Sequence, residues 1–356
     1  MREESLLSTA LTDPDSCEYR SGFRIGDVSV QMSSDYESDL TLAPLLEPFR
    51  FQAQSPDIDV RVEWLQSLPV ISGGEIFDSG SIWQLSVEDH GYRFDFNVPY
   101  LGSRPYRRLL IDFTFRQGIL QMSRECFASV PYRADPLEYP LDELLVMHRL
   151  TQEKAIELHG SGIVRVNGEG NLFLGHSGAG KSTTTRLWTD VEDVEVLSDD
   201  RIIVRRDDVG ADKVRRDEGP AGPAEKVGIL RLRDRSAAPT GHFAQDDNGM
   251  GADITKYKMR MYGTPWHGEA MFASPNSAPL SRIFVLEHGH GNVITLLSPS
   301  QAVAELFARS FVPFHRHEYV DSALEFLQEL VHAVPVYRYA FEPDQSAVEK
   351  IRNFHD

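Results

Sequence analysis

Between residues 171 and 188 a short apolar run, a glycine-rich loop and a helix-compatible segment follow one another directly: Asn171-Leu-Phe-Leu-Gly175-His-Ser-Gly-Ala-Gly180-Lys181-Ser182-Thr183-Thr-Thr-Arg-Leu-Trp188. This order constrains the fold more than any other stretch, because strand, tight loop and helix in succession form the local geometry of a phosphate-binding loop. In the spacing Gly-x4-Gly-Lys-Ser, glycines stand where the backbone turns back sharply, so that successive N–H groups and the next helix N-terminus point at one anion. Gly175, Gly178 and Gly180 supply those positions. Lys181 would reach the β- and γ-phosphates as a point charge, and the Ser182 hydroxyl would ligate a bridging Mg²⁺, with Thr183 as the reserve hydroxyl. A glycine-rich turn that binds nothing is the alternative. Leu172, Phe173 and Leu174 read as the end of a buried strand, which favours the binding geometry.

A second motif follows the loop helix. In Val194-Glu-Val-Leu197-Ser198-Asp199-Asp200-Arg201-Ile-Ile-Val-Arg205 an apolar strand ends in two aspartates, 18 positions after Lys181 (199 − 181 = 18). Two adjacent aspartates are usually a solvated turn, but a strand ending here can lie beside the loop and offer a metal-holding carboxylate. Upstream, Gly162-Ile-Val-Arg-Val and Leu172-Phe-Leu flank Asn167-Gly168, which predicts a hairpin feeding the loop. Downstream, Tyr257-Lys-Met-Arg-Met-Tyr262 alternates and is predicted to pair with Asp200 to Arg205. Gly263-Thr-Pro-Trp266-His267-Gly268-Glu269 then reads as either a packed turn or an active-site loop.

The remaining chain divides by pattern. Residues 1 to about 20 are polar and expected to be poorly ordered. From Phe23 to about Phe127, period-two runs such as Phe23–Met32, Ile58–Trp64, Trp83–Glu88, Tyr92–Val98 and Leu109–Phe115 predict a meandering antiparallel sheet without recognisable chemistry, a scaffold or a partner surface. At Tyr139-Pro140-Leu141-Asp142-Glu143 the period changes. Proline and acidic residues start a helix, and one or two helices are predicted over about 140–157, with Leu141, Leu144, Leu145, Ala155 and Leu158 on the apolar side. Residues 207 to about 255 are rich in glycine, proline and charge, and read as an excursion with one strand at Val227–Leu232. The last part predicts a strand at Arg282–Glu287, a helix capped by Ser298-Pro299, a helix striped by Leu324, Leu327, Leu330, Val331 and Val334, and a terminal strand at Val336–Phe341. His315 and His317 read as surface histidines. The expected architecture is mixed α/β: a β-rich domain over 1–139, then a loop-bearing domain over 140–356 with a mixed sheet, flanking helices and the excursion inserted.

Lys+Arg 36 against Asp+Glu 54 leaves a net charge of −18, which disfavours nucleic acid and anionic lipid. A hydrophobic content of 41% suffices for a real core, so a folded, soluble chain is expected. No run is long enough to span a bilayer and no secretory pattern opens the chain. The two cysteines, Cys17 and Cys126, form no disulfide framework and have no metal-ligand spacing, so a reducing cytoplasm is the expected compartment.

Taken together, Leu158-His159-Gly160, the loop from Gly175 to Thr183, and Leu197-Ser-Asp-Asp-Arg201 resemble the HPr kinase/phosphorylase family and the wider phosphoenolpyruvate carboxykinase-like nucleotide fold. The resemblance covers about residues 140 to 341 and looks closest to stand-alone HPr-kinase-like proteins. It implies ATP and Mg²⁺ as cofactors, bound by Gly175, His176, Ser177, Gly178, Ala179, Gly180, Lys181, Ser182 and Thr183. It gives Lys181 and Ser182 the phosphate and metal roles and lines the site with His159. One of Asp199 and Asp200 would be the base for an incoming hydroxyl and the other a metal ligand; the favoured division makes Asp199 the base and Asp200 the ligand. The Arg-Gly-Leu-Gly signature of true HPr kinases is absent and Trp266–Glu269 stands in its region, so HPr itself and reverse phosphorolysis are not implied. The activity expected is phosphoryl transfer to a hydroxyl, seryl in the first instance, of a peptide or small protein, with homo-oligomerisation left open. The alternatives are a nucleotide-binding regulator that transfers nothing and, third, a carboxykinase-like lyase.

Overall fold

A computed structural model describes residues 18–102, 104–128, 134–176, 178–190, 194–207 and 258–354. The polar amino terminus up to residue 17 and the excursion from 208 to 257, with its expected strand at Val227–Leu232, lie outside the described residues. The protein is mixed α/β, with two large mixed sheets and several helices. Among the described residues no helix is long and apolar enough to cross a membrane.

The first sheet has eight strands: β1 (Tyr19–Ile25), β2 (Val28–Ser34), β3 (Ile58–Leu65), β4 (Glu75–Asp78), β5 (Trp83–Glu88), β6 (Gly91–Phe96), β7 (Arg107–Asp112) and β8 (Gln117–Ser123), in the order β1-β2-β3-β8-β7-β6-β5-β4. It is not the purely antiparallel meander expected from the sequence, because β3 runs parallel to both neighbours, β2 and β8. The single run expected from Phe23 to Met32 is a hairpin instead. Gly26 and Asp27 both take positive φ, 55° and 60°, the backbone that lets a two-residue turn match strand twist. A four-residue helix, α1 (Arg124–Phe127), follows β8.

Helix α2 (Leu141–Leu150) starts where the Pro140 signal places it but stops seven residues short of the expected end. Lys154 turns the chain at φ 52°, and Ala155 and Leu158 belong to the following strand, β9 (Ala155–Arg165), which is buried from Ala155 to Ile163 except at His159. Two apolar residues three apart fit a helix and a doubly covered strand equally, which is why the pattern misled. Leu141, Leu144, Leu145 and Leu150 of α2 pack into the core of the first sheet, together with Ala155, Ile203 and Trp266 from later in the chain.

The second sheet is built from β9, β10 (Gly170–Leu174), β11 (Val194–Ser198), β12 (Arg201–Asp207), β13 (Lys258–Tyr262), β14 (Ser277–His288), β15 (Val293–Leu296), β16 (Ser310–Phe311) and β17 (Val336–Phe341). Its path is β10-β9-β12-β13-β14-β17-β15, with β11 and β16 on β9 and an extra pairing of β10 with β14. Asn167-Gly168 does join β9 and β10 as a hairpin, and β12 does pair with β13. β17 is the last described strand, over the residues expected; it lies between β14 and β15 in the sheet, and helix α6 (Gln345–Arg352) follows it. One face is covered by α4 (Pro299–Phe307) and α5 (His317–Ala333), through Leu306, Phe326, Leu327 and Leu330; the other by α3 (Lys181–Thr189) and α6, through Trp188, Val348 and Ile351. Ser298 caps α4 in a full capping box with Gln301. The α5 stripe is Tyr319, Ala323, Phe326, Leu327 and Leu330, and Leu324 is only half-buried.

His315 is not the surface residue expected. Its ring lies 5.2 Å from those of Tyr92 and His148 at the seam between the first sheet, α2 and α5, whereas His317 is exposed. Burial, then the Arg316 charge, push His315 down to about 4; burial, then His315, push His148 down to about 3.

Candidate functional site

Strand β10 is central and wholly buried, and it delivers the chain into the glycine loop at the edge where α3 begins. Gly178 and Gly180 take φ of 81° and 99°, the left-handed region that L side chains avoid. At Gly180, the residue before α3, a Cβ would also stand 2.4 Å from Phe341 Cζ of β17, so this turn demands glycine on two counts. The loop is fixed from within by the Ala179 amide on His176 O at 3.0 Å, and from outside by His288 Nε2, 2.7 Å from Gly178 O. Lys181 folds back along it. Its Nζ donates to Gly175 O at 2.9 Å and to His176 O at 3.4 Å, which holds the ammonium at the loop mouth. Burial lowers its pKa, and the Asp200 charge opposes that shift. Ser182 and Thr183 are half-buried in the first turn of α3. Thr185 ties α3 to β9, donating to Lys181 O at 3.0 Å and meeting Ser161 Oγ at 2.8 Å.

The strand expected to end in the two aspartates stops at Ser198; Asp199 and Asp200 form the bend between β11 and β12 and face different partners. Asp199 is 1% exposed, and its oxygens accept three backbone amides: Gly268 at 3.0 Å, Ala270 at 2.8 Å and Phe272 at 3.2 Å. The loop read as either a packed turn or an active-site loop thus contributes its backbone. A Cβ on Gly268 would lie 3.0 Å from Asp199 Oδ2, a close contact that a larger residue would have to relieve by shifting the carboxylate. His267 turns its Nδ1 to Gly268 O at 3.0 Å, and Trp266 Nε1 donates to Asp142 of α2 at 2.9 Å. Asp200 faces the loop lysine. Its Oδ1 is 2.9 Å from His159 Nε2, its Oδ2 accepts from Arg201, and its backbone carbonyl accepts the Gly160 amide at 2.9 Å. Burial works to raise its pKa but is outweighed by the His159 hydrogen bond and the charges of Arg201, His159 and Lys181, so the carboxyl sits below its ordinary value.

Behind Asp200 lies a buried acid cluster. Arg201 Nε donates to Glu143 of α2 and stands 3.4 Å from Glu157 Oε1 of β9, while its guanidinium lies 4.4 Å from the centroid of the Phe311 ring. His159 meets the same ring at 6.1 Å. Burial, then the neighbouring Glu143 charge, raise Glu157 well above the carboxylate range, and no hydrogen bond reaches either of its oxygens. Asp142 is pushed up to about 7, first by burial.

The structure therefore brings together Lys181, Asp200, His159 and the loop backbone, with Ser182 in the adjoining helical turn and Asp199 held one step behind; Ser177 lies outside the described residues. Sequence reasoning passed over Glu143, Glu157, Arg201 and His288 as functional groups. Glu157 and His159 stand two apart in one strand and so share a face, a signal hidden by reading the segment as helix. Glu143 gave none, since its contact with Arg201 spans 58 residues. Neither a protein-family model nor a curated protein matches the chain.

The donor set fits Mg²⁺. Asp200 and Ser182 offer hard oxygen ligands, and among the described residues no cluster of three His, Cys, Asp or Glu side chains could hold a metal alone. Mg²⁺ bound through one or two protein oxygens, with phosphates and water completing the shell, is what such a site can hold.

Proposed function

We propose that the protein is an ATP- and Mg²⁺-dependent kinase that transfers the γ-phosphoryl group to a hydroxyl, seryl in the first instance, of a peptide or small protein. The observation that carries the reading is the convergence of Lys181, Asp200 and His159 on the mouth of a glycine loop that opens a helix. The resemblance to HPr-kinase-like proteins in these same residues supports it. The loop amides and Lys181 hold the phosphates, and Asp200 and Ser182 hold Mg²⁺, which supplies charge neutralisation on the transferred group. His159, held against Asp200 at 2.9 Å, is the proton acceptor beside the loop. Asp199, with its oxygens engaged by backbone amides, we assign to positioning rather than to proton transfer, a departure from the division favoured by the sequence. That engagement also favours a second reading, a nucleotide-binding regulator that transfers nothing.

The test is Mg-ATP binding followed by radiolabelled phosphate transfer to a seryl peptide library. Nucleotide at 100 times its dissociation constant should stabilise the wild type by about 2.7 kcal/mol in a thermal shift. Lys181→Ala should lose that stabilisation and cut transfer by about a thousandfold or more while remaining folded. Unchanged nucleotide binding in Lys181→Ala sinks the loop reading. Binding without transfer by the wild type leaves the regulator.

A further inference from the structure

Arg201 stands among three carboxyl groups. One end of its guanidinium bonds Asp200, and Nε bonds Glu143 with Glu157 at 3.4 Å. Glu157 is the anomaly. Its side chain is fully buried, yet neither oxygen receives a hydrogen bond, and a buried carboxyl in that condition is costly. The nearest donor able to relieve it is the guanidinium itself, which now spends one end on Asp200. Under the proposed function Asp200 is also the carboxylate that Mg²⁺ needs. A guanidinium and a divalent cation cannot share one carboxylate without strong like-charge repulsion.

We propose that Arg201 has two positions: on Asp200 when no metal nucleotide is bound, and withdrawn onto the Glu143–Glu157 pair when Mg²⁺ takes Asp200. This rests on the nucleotide and Mg²⁺ reading of the site and adds its control: the acid pair sets how readily the site admits its metal. The displacement needed is small, because Glu143 and Glu157 already flank Nε and the Phe311 ring supports the guanidinium from below. Glu143 belongs to α2, whose apolar face is part of the first sheet's core. The first half of the chain thus supplies part of the receiving pair, and Arg201 is a positioning residue rather than a phosphate ligand.

The experiment is calorimetric titration of ATP at fixed Mg²⁺ concentrations and in EDTA. Removing the receiving charge of Glu143 strengthens the hold of Arg201 on Asp200, so Glu143→Gln should raise the half-saturating Mg²⁺ roughly tenfold. Arg201→Met removes the competitor and should lower it by a similar factor. Affinity in EDTA should stay at the wild-type value throughout. Since Arg201→Met leaves two acids without their cation, the double variant Glu157→Gln/Arg201→Met serves as the better-folded check and should behave like Arg201→Met. Opposite signs are the signature, since residues with a merely structural role would shift together. Shifts in one direction, or none, overturn the proposal and leave the kinase reading standing. Weaker ATP binding in EDTA for Arg201→Met would place the guanidinium on the phosphates and overturn it as well. A wild type that binds no Mg-ATP removes the functional reading itself.

Discussion

The two halves of the chain each bury a cluster of opposite charges, and the clusters are treated differently. In the first sheet Asp95 accepts from Arg93 Nε at 2.8 Å and from Arg108 Nε at 2.6 Å. The remaining guanidinium groups reach Pro69 O at 2.9 Å, Gly73 O at 3.1 Å, Ser86 Oγ at 3.1 Å and Glu88. Beside the glycine loop, by contrast, Glu143, Glu157, Asp200 and Arg201 leave the two Glu157 oxygens without a hydrogen bond. Matching is not complete elsewhere in the first sheet, where Nε and Nη2 of the buried Arg107 lack partners, so the contrast is between these two clusters and not between the two halves. An unsatisfied cluster at a loop of this kind is what a site looks like when some of its partners arrive from outside.

The strongest way to break that comparison is to damage the satisfied cluster. Asp95→Ala leaves the buried Arg108 without its anion and Arg93 with only the exposed Glu88, and should cost about 3–5 kcal/mol of stability. The folded fraction should bind nucleotide like the wild type, since none of the contacts of Asp95 involves the loop. Urea unfolding combined with nucleotide titration checks both halves. A loss no larger than that of an exposed aspartate would mean that the first cluster, too, is not structural.

A smaller effect is expected at the seam between the halves, where His148 stacks on Phe115 at 4.3 Å and its Nδ1 is 2.6 Å from Leu144 O. The folded values of His148 and His315, about 3 and about 4, lie below the ordinary 6.5, so below pH 6.5 the unfolded chain binds more protons and their contribution to stability falls. At pH 5 the His148 deficit is about 1.5 units, roughly 2 kcal/mol, and His315, partly open to solvent, adds less. Carboxyls with raised values, such as Asp135 at about 6 and Asp142 at about 7, act in the opposite sense over this range. The clean measurement is therefore a difference: His148→Phe, which keeps the stack, should improve relative to wild type by roughly 2 kcal/mol between pH 7 and pH 5. A pH-independent gap would refute the buried neutral imidazole.

How much of this was legible in the sequence depended on the range over which each signal acts. The glycine loop, the Asn167-Gly168 hairpin and the Ser298 cap are set by neighbours in the chain, and each could be read; the pairing of β12 with β13, 51 or more positions apart (258 − 207 = 51), was legible only through the alternation of both strands. The parallel placement of β3 between β2 and β8 could not, because alternation is the same for either strand direction. Nor could the end of α2, where a buried strand and a helix show the same apolar spacing. At the site, Lys181 and the two aspartates were visible as types at a spacing. Which aspartate faces the loop was not, since that depends on Gly268, Ala270 and Phe272, about 70 residues away, offering their amides to Asp199.

The finest test of the comparison concerns Glu157 and asks whether an unsatisfied group can be replaced at no loss. Burial, then the neighbouring Glu143 charge, raise this carboxyl well above its ordinary value, so as pH rises through 4.5 the unfolded chain gives up its proton before the folded chain does. Glutamine has the same shape, needs no proton, and can donate an amide hydrogen to the neighbouring Glu143. Against that stands the desolvation of the amide itself, a cost of about 1–3 kcal/mol when imperfectly paired. The balance predicts that Glu157→Gln is stabilised by about 1 kcal/mol at pH 7.5, in the opposite direction to Asp95→Ala. The sign with pH follows from the raised folded value. Below the ordinary 4.5 both states hold the proton and the gain should vanish; it should grow as pH rises through that value and level off above the folded one. Thermal unfolding of both proteins between pH 4 and pH 8 gives the comparison directly. A Glu157→Gln variant as damaged as Asp95→Ala would show that the acid beside the loop is an ordinary structural partner of Arg201, and the difference between the two clusters would lose its meaning.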